Sequence, residues 1–355
     1  MTRSTLAALG AAAALALAPA IAHAGPAEHG SQKTHGHHKT HGTRGHGHAA
    51  KATDLRVATY NLSLNRNAPG QLVADLSTAD NAQAKAVAEV IQRCAPDVLL
   101  INEFDYDAEH LAGVESALRR SGFDVTAQAI DVADRDQVAA LADRAASLGE
   151  VTSLVHTAGV SPAQATPERI VEVNLVGTAY VIEEFGRVIA DGGAGVVIAS
   201  VAAHIFADAV TPEQGTALAT LPASELAGLP MFAFPDVQPE FACGLAYGYS
   251  KRGNVFRVQS AAPIWGDRGA RINSVCPGVT ATEMGWREFN AEFAHSSYEA
   301  MIDKCAAGRF GTAEDIASAV EFLLDPVRSG FITGTDILVD GGVVAGVRSG
   351  RIQLT

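Results

Sequence analysis

The sequence predicts an α/β protein built on a doubly wound parallel sheet. Three observations carry that expectation. Short apolar runs alternate with stretches of helical spacing along most of the chain. Two of the runs, Pro96-Asp-Val-Leu-Leu-Ile-Asn-Glu103 and Ala194 to Ser200, are apolar almost throughout, as strands covered on both faces must be. Asp131, Gly159 and Ser200 close successive runs at their carboxyl ends, where sheets of this class hold their ligands.

Each element follows from its residues. Leu55-Arg-Val-Ala-Thr-Tyr-Asn61 alternates and is rich in β-formers, so it reads as a strand. Residues 62–77 form a polar loop. From Ala79 to Cys94 the chain has helical spacing, with Ala84, Val87, Val90 and Ile91 on one face. With the apolar strand 97–103 this completes a βαβ unit, whose crossover is normally right-handed. A helix runs from Asp107 through Arg120 and closes at Gly122. Residues 123–131 read as a strand, 134–148 as a helix, and Val151 to Gly159 as a strand entering a glycine turn. A long helix spans 166–189, and a buried strand spans 194–200.

Composition narrows the function. The chain has 355 residues, 48% of them hydrophobic, which is enough for a substantial core. A formal charge of −13 argues against general nucleic-acid binding. No apolar run suits a mature membrane span. Cys94, Cys243, Cys276 and Cys305 are widely scattered with no metal-type spacing, so they read as buried thiols. Residues 1–24 have the form of a secretory signal: Arg3, an Ala/Leu run from Leu6 to Ile21, then Ala22-His23-Ala24 as a cleavage site. Export is the expected localisation, and the cytoplasm if the leader is not used. Residues 25–54 carry His29, His35, His37, His38, His41, His46 and His48 in a low-complexity setting. They read as a flexible linker able to hold a soft transition metal loosely.

The chemistry centres on Tyr247-Gly-Tyr-Ser-Lys251. Residues at i and i+4 share a helix face. An ammonium beside a phenol favours the phenolate and lowers its pKa. The result is an acid/base group that can protonate a carbonyl or deprotonate an alcohol near neutral pH.

Several further motifs accompany the pair. Residues 108–349 resemble a short-chain dehydrogenase/reductase, a family with a Rossmann-like fold. Asp131-Val132 matches the family's adenine-contacting position. His156-Thr-Ala-Gly159 stands in place of an Asn-Asn-Ala-Gly turn, so its first two positions depart from the pattern. Asn174, Ser200, Tyr247 and Lys251 match the catalytic tetrad. Pro277-Gly278 and Thr282 match the segment covering the nicotinamide, and Phe331 to Gly342 the closing strand and its glycines. The resemblance implies NAD or NADP as cofactor, with NAD favoured, bound through Asp131, Val132, Ala158, Gly159, Lys251, Pro277, Gly278 and Thr282. It implies a small-molecule alcohol or ketone substrate and a homo-oligomer. Tyr247 is then the acid/base, Lys251 its partner and ribose contact, Ser200 the holder of the substrate oxygen, and Asn174 the residue fixing a water in the proton path. Ser200 and Tyr247 lie 47 positions apart, longer than is usual in the family. The apolar stretch Leu229-Pro-Met-Phe-Ala-Phe-Pro235 in that gap suits a lid over a lipophilic alcohol such as a hydroxysteroid, or an oligomer contact.

The start of the chain departs from this family. Ala58-Thr-Tyr-Asn61 and Val98-Leu-Leu-Ile-Asn-Glu103 resemble the opening of the endonuclease/exonuclease/phosphatase family, in which Asn61 and Glu103 would hold magnesium. That family's later Gly-Asp-x-Asn and Ser-Asp-His elements are missing, so a metal-dependent phosphoesterase, the alternative function, is expected to be inactive. The dehydrogenase family's Thr-Gly-x-x-x-Gly-x-Gly turn, which cradles the pyrophosphate on backbone N–H groups, is also missing. The expected organisation is a leader (1–24), a His-rich linker (25–54), a nuclease-like βαβ segment (55–107) and a dehydrogenase-like domain (108–349), joined as a fusion. The segment's two strands should take the family's first sheet positions, and cofactor binding should be impaired. Glu103 or Asp105, ending the second strand, would accept the adenosine ribose hydroxyls and favour NAD.

Overall fold

The computed structural model describes residues 54–61, 98–102, 115–116, 119–120 and 124–354. The leader, the His-rich stretch, the 62–77 loop, the 79–94 helix, Cys94, Glu103 and Asp105 lie outside the described residues.

Six parallel strands form one sheet in the order β2-β1-β3-β4-β5-β6. They are β1 (Asp54–Asn61), β2 (Val98–Asn102), β3 (Glu150–His156), β4 (Ile189–Ile198), β5 (Arg271–Pro277) and β6 (Asp336–Val339). The order runs outward in both directions from the β1–β3 pair, which is the doubly wound pattern. β1 pairs with β3 in parallel, from Asp54 opposite Glu150 to Ala58 opposite Val155. On its other side β1 pairs with β2, ending with Asn61 opposite Asn102. The first two strands therefore enter the same sheet as the rest, in the positions the sequence leaves open for them.

Helix α1 (Arg135–Leu148) starts where Asp134 accepts the N–H groups of Asp136 and Gln137. It buries Val138, Leu141, Ala142 and Ala145, the stripe expected of a helix laid on a sheet. The long helix α6 (Pro239–Gly266) carries Trp265 into the core, against Gly186 and Gly195. A β-carbon on Gly195 would lie 2.7 Å from the Trp265 ring, so the helix can dock this close to β4 only over a glycine.

Three expectations are corrected. The strand expected over 123–131 does not form: among its described residues only Thr126 makes an isolated bridge. The Val125 carbonyl accepts from Arg119 Nη2 at 2.7 Å, which removes a ladder acceptor, and Ala127-Gln-Ala129 has little β preference. The helix over 166–189 forms as three pieces, α2 (Pro167–Val171), a π-helical turn (Glu172–Gly177) and α3 (Thr178–Val188). The strand expected over 194–200 starts earlier, at Ile189, and stops at Ile198, so Ser200 stands just beyond it.

The 201–238 stretch is a series of short helices, including α4 (Ala202–Ile205) and α5 (Pro212–Thr220). Leu229, Met231, Phe232 and Phe234 are half-buried and pack on the main core. Further on come α7 (Glu283–Phe289), α8 (His295–Lys304), α9 (Ala313–Leu324) and α10 (Val343–Arg348). Among the described residues no helix is long and apolar enough to cross a membrane. Cys243, Cys276 and Cys305 are free and buried, as expected.

Candidate active site

The carboxyl ends of β3, β4 and β5 converge on the middle of α6. Ser200 follows β4, is fully buried, and its Oγ accepts the Ala202 N–H at 3.0 Å. Tyr247 and Lys251 occupy successive turns of α6, and both are buried. The Lys251 Nζ lies 5.6 Å from the centre of the Tyr247 ring. It donates to the Ile198 carbonyl at 3.2 Å, the last residue of β4. Burial pushes the ammonium down to about 8, partly opposed by Cys276. Lys251 therefore sits near the switch between its charged and neutral forms at working pH.

Gly159 brings the other elements in. A β-carbon there would lie 3.4 Å from Lys251 Nζ and 3.0 Å from Asn174 Oδ1. The bare backbone at this turn is what lets Asn174 and Lys251 approach from opposite helices. Asn174 lies in the π turn, a distortion that re-aims side chains and recurs at functional sites. Its Oδ1 accepts the Val160 N–H at 2.8 Å and its Nδ2 donates to the Val160 carbonyl at 2.8 Å. The amide thus clamps the turn that follows β3. Its backbone carbonyl takes the Thr178 hydroxyl at 2.8 Å.

That hydroxyl explains the departure at His156. Thr178 Oγ1 donates to Asn174, so it accepts from His156 Nε2–H at 2.9 Å. The ring is fully buried, and burial with the nearby Lys251 charge holds it down at about 3, neutral at working pH. A neutral imidazole here braces the π turn without adding a second cation next to Lys251.

The remaining expected positions fall around this centre. Ala158 and Val132 are buried, Val132 against Gly177 of the π turn. Asp131 is partly exposed; its Oδ2 takes Arg169 Nη2 at 2.8 Å and its Oδ1 the Ala133 N–H at 2.9 Å. Pro277 ends β5, and Gly278 donates to the Val339 carbonyl at 3.0 Å, joining β5 to β6. Thr282 caps α7, its Oγ1 accepting the Gly285 N–H at 2.8 Å. Asn61 stands at the end of β1, beside the end of β2 that leads into Glu103, in backbone register only.

Sequence reading gave no role to five participants. His156 and Thr178 brace the tetrad. Glu288, fully buried on α7, accepts the Ala163 N–H at 2.9 Å and ties α7 to the turn after β3. Burial pushes it up to about 6, against the pull of Ser161, the Ala163 N–H and Arg287. Ser161 acts by proximity, since neither its Oγ nor Glu288 Oε2 reaches bonding geometry. His204 pairs with Asp336 at 2.7 Å, linking α4 to β6. A carboxylate 125 residues from its partner leaves no local signal; Thr178 could have been found, four residues after Asn174 on one helix face.

The residues present fit the nicotinamide end of a dinucleotide. A nine-tenths buried ammonium has three N–H donors, and its described bond uses one of them. It stands beside a side-chain-free turn at the strand ends, where such a ligand is expected. A doubly wound sheet with a buried Tyr, Lys, Ser and Asn grouped there defines a dinucleotide-dependent oxidoreductase. The chain belongs to the short-chain dehydrogenase/reductase family, which uses NAD(P). It matches the short chain dehydrogenase family over residues 79–211 and the enoyl-(acyl carrier protein) reductase family over 235–344. It is 39% identical over 241 residues to the short-chain dehydrogenase/reductase bsc3 of Alternaria brassicicola, covering 68% of this chain and 86% of that protein. It is 29% identical over 257 residues to the 3-alpha-hydroxysteroid dehydrogenase/carbonyl reductase of Comamonas testosteroni, covering 67% of this chain and 93% of that one. The solved 3-alpha-hydroxysteroid dehydrogenase of Pseudomonas sp. B-0831, complexed with NADH, matches with a TM-score of 0.53 at 26% identity, over 67% of this chain and 94% of that one. The family match begins at residue 79, so β2 lies inside it, upstream of the boundary expected between residues 107 and 108. Relatives in the family act on small-molecule alcohols and ketones.

Proposed function

We propose that this protein interconverts a lipophilic secondary alcohol, of the hydroxysteroid class, and its ketone. The observation that carries the reading is the buried Lys251, one turn beyond Tyr247 and facing Gly159 and Asn174. A bound nicotinamide supplies the hydride donor or acceptor. The chain's own groups do the rest. Tyr247 gives or takes the proton at the carbinol oxygen. Ser200 holds that oxygen through its hydroxyl. Lys251, charged below about pH 8, favours the phenolate and offers donors to the nicotinamide ribose. Asn174 holds the turn after Gly159, which keeps the floor of the site in place. The half-buried apolar side chains of Leu229, Met231, Phe232 and Phe234 support an apolar substrate, as does the likeness to hydroxysteroid dehydrogenases. Glu103, immediately after β2, supports NAD over NADP.

Absorbance at the NADH band tests this reading. Wild-type protein is expected to reduce NAD with a sterol or long aliphatic alcohol. Tyr247→Phe is expected to lower kcat by roughly 10²–10⁴-fold, with NADH affinity changed less than threefold. Turnover retained by Tyr247→Phe rules the assignment out.

A further inference from the structure

Directly behind Ser200, three side chains from three elements converge: His204 on α4, Cys276 on β5 and Asp336 on β6. One ligand atom from each lies within 4.8 Å of the other two. We propose that His204, Cys276 and Asp336 form a binding site for a thiophilic divalent cation of the zinc class, distinct from the Tyr247–Lys251 centre.

The donor set is one imidazole nitrogen, one sulfur and one carboxylate oxygen, the combination that suits Zn²⁺ and leaves a fourth position for water. Tetrahedral zinc bonds of about 2.0–2.3 Å put neighbouring ligand atoms about 3.4–3.6 Å apart. His204 Nε2 and Asp336 Oδ2 now stand 2.7 Å apart in a hydrogen bond. Seating an ion needs that pair to open by under about 1 Å and the sulfur to close by a similar amount, within the reach of side-chain torsions. The sheet fixes the framework: β5 and β6 are paired neighbours, with Cys276 opposite Leu338 and Ser274 opposite Asp336. Cys276 is fully buried, whereas the side chains of His204 and Asp336 are 13% and 18% exposed, which gives an ion its approach.

Charge sets the terms. Two cations face the site: Lys251 and Arg252 both act on Cys276, and Arg252 also acts on Asp336. The Arg252 guanidinium is drawn partly aside, stacked 4.4 Å over the Phe256 ring. Without an ion, burial holds the Cys276 thiol up at about 12, so the sulfur is protonated. Coordination expels that proton. The bound set then carries a thiolate and a carboxylate, two negative charges against the dication. One thiol proton leaves per ion bound, so apparent affinity rises about tenfold per pH unit. The Ser200 backbone N–H points at the same sulfur, so an ion here borders the candidate catalytic serine.

Cobalt titration of the full, reduced, chelator-treated chain tests the site. Co²⁺ bound to a thiolate gives a near-ultraviolet sulfur-to-metal charge-transfer band. The His-rich stretch 25–54 contains no cysteine and cannot give that band. We expect one equivalent of Co²⁺ to produce it, Zn²⁺ to abolish it, Cys276→Ser to remove it, and His204→Gln and Asp336→Asn each to weaken binding at least tenfold. Circular dichroism confirms that each variant is folded; should Cys276→Ser not fold, the His204→Gln titration decides. Absence of the band in wild type overturns the proposal, as does its persistence in folded Cys276→Ser or full affinity in folded His204→Gln.

Discussion

The two ends of the cofactor-binding edge are built in different ways. At the nicotinamide end, behind β3 and β4, three side chains are held by partners on other elements. Lys251 is fixed to Ile198, Asn174 to Val160, and His156 to Thr178. At the pyrophosphate end, beyond β1, the sequence from 62 to 77 contains a single glycine, Gly70, and no Thr-Gly-x-x-x-Gly-x-Gly turn. The first end needs side chains of particular chemistry in fixed places. The second needs bare backbone N–H groups close to an anion. Substitution in the first would remove the reaction, while substitution in the second weakens a binding step and leaves the proton-transfer group intact. The proposed function therefore pairs an acid/base centre with an expected weak anchor for its cofactor.

Titration calorimetry gives the largest test of that contrast. NADH is expected to bind wild type weakly. Replacing part of 62–77 with the family's glycine-rich turn is expected to tighten binding by about 10²- to 10⁴-fold, since two charge-assisted backbone bonds are each worth about 1.5–3 kcal/mol. Tight binding by the unmodified chain, with no gain from the graft, would show that this edge anchors phosphate by another route.

The sequence made the nicotinamide end legible because its chemistry rests on residue types with few equivalents. A Tyr and Lys at i and i+4, an Asn in a helix and a Ser past an apolar strand each survive as letters in a row. Much of the sheet was legible too, since β4 ends in the buried apolar run Val196-Val197-Ile198 and β3 carries Leu154 and Val155 in its buried half, whereas β5, with Arg271, Asn273 and Ser274 among its buried residues, gave no such signal. What stayed hidden was set by three-dimensional proximity. The π turn that aims Asn174 changes no residue type. The Glu288–Ala163 tie spans 125 positions, and His204 meets Asp336 across 132. The 123–131 stretch misled because its alternation suits a strand, while the Arg119 side chain takes the Val125 carbonyl. Propensity is local, and a competing hydrogen bond outweighed it.

A single methyl group probes the crowded end. Gly159→Ala places a carbon 3.0 Å from Asn174 Oδ1 and 3.4 Å from Lys251 Nζ, so one or both must retreat. Overpacking at such a contact costs about 1–3 kcal/mol. If it falls on the transition state, kcat/KM drops roughly tenfold, since each 1.36 kcal/mol is one decade. Steady-state kinetics should show that loss. An unaltered kcat/KM would mean that the clamp around Asn174 is slack, and that this end is less constrained than its hydrogen bonds indicate.

The smallest effect concerns stability, and its sign is fixed by Glu288. Burial raises this carboxyl from 4.5 to about 6 in the folded protein. A raised folded value means the native state holds its proton more tightly than the unfolded chain does. The stabilisation is fully present below about pH 4.5 and is lost as pH rises through about 6. Above that the protein carries a buried carboxylate at a cost on the order of 1–2 kcal/mol. Glu288→Gln keeps an oxygen for the Ala163 N–H and removes the charge. Urea melts at pH 4.5, 6 and 7.5 should therefore show wild type losing stability relative to the variant across that range, with the variant ahead by about 1–2 kcal/mol at the top. Every other ionisable group is common to both proteins and cancels in the difference. If the two curves run parallel, the α7 tie is solvated rather than dry, and the restraint at this end comes from Asn174 and Lys251 alone.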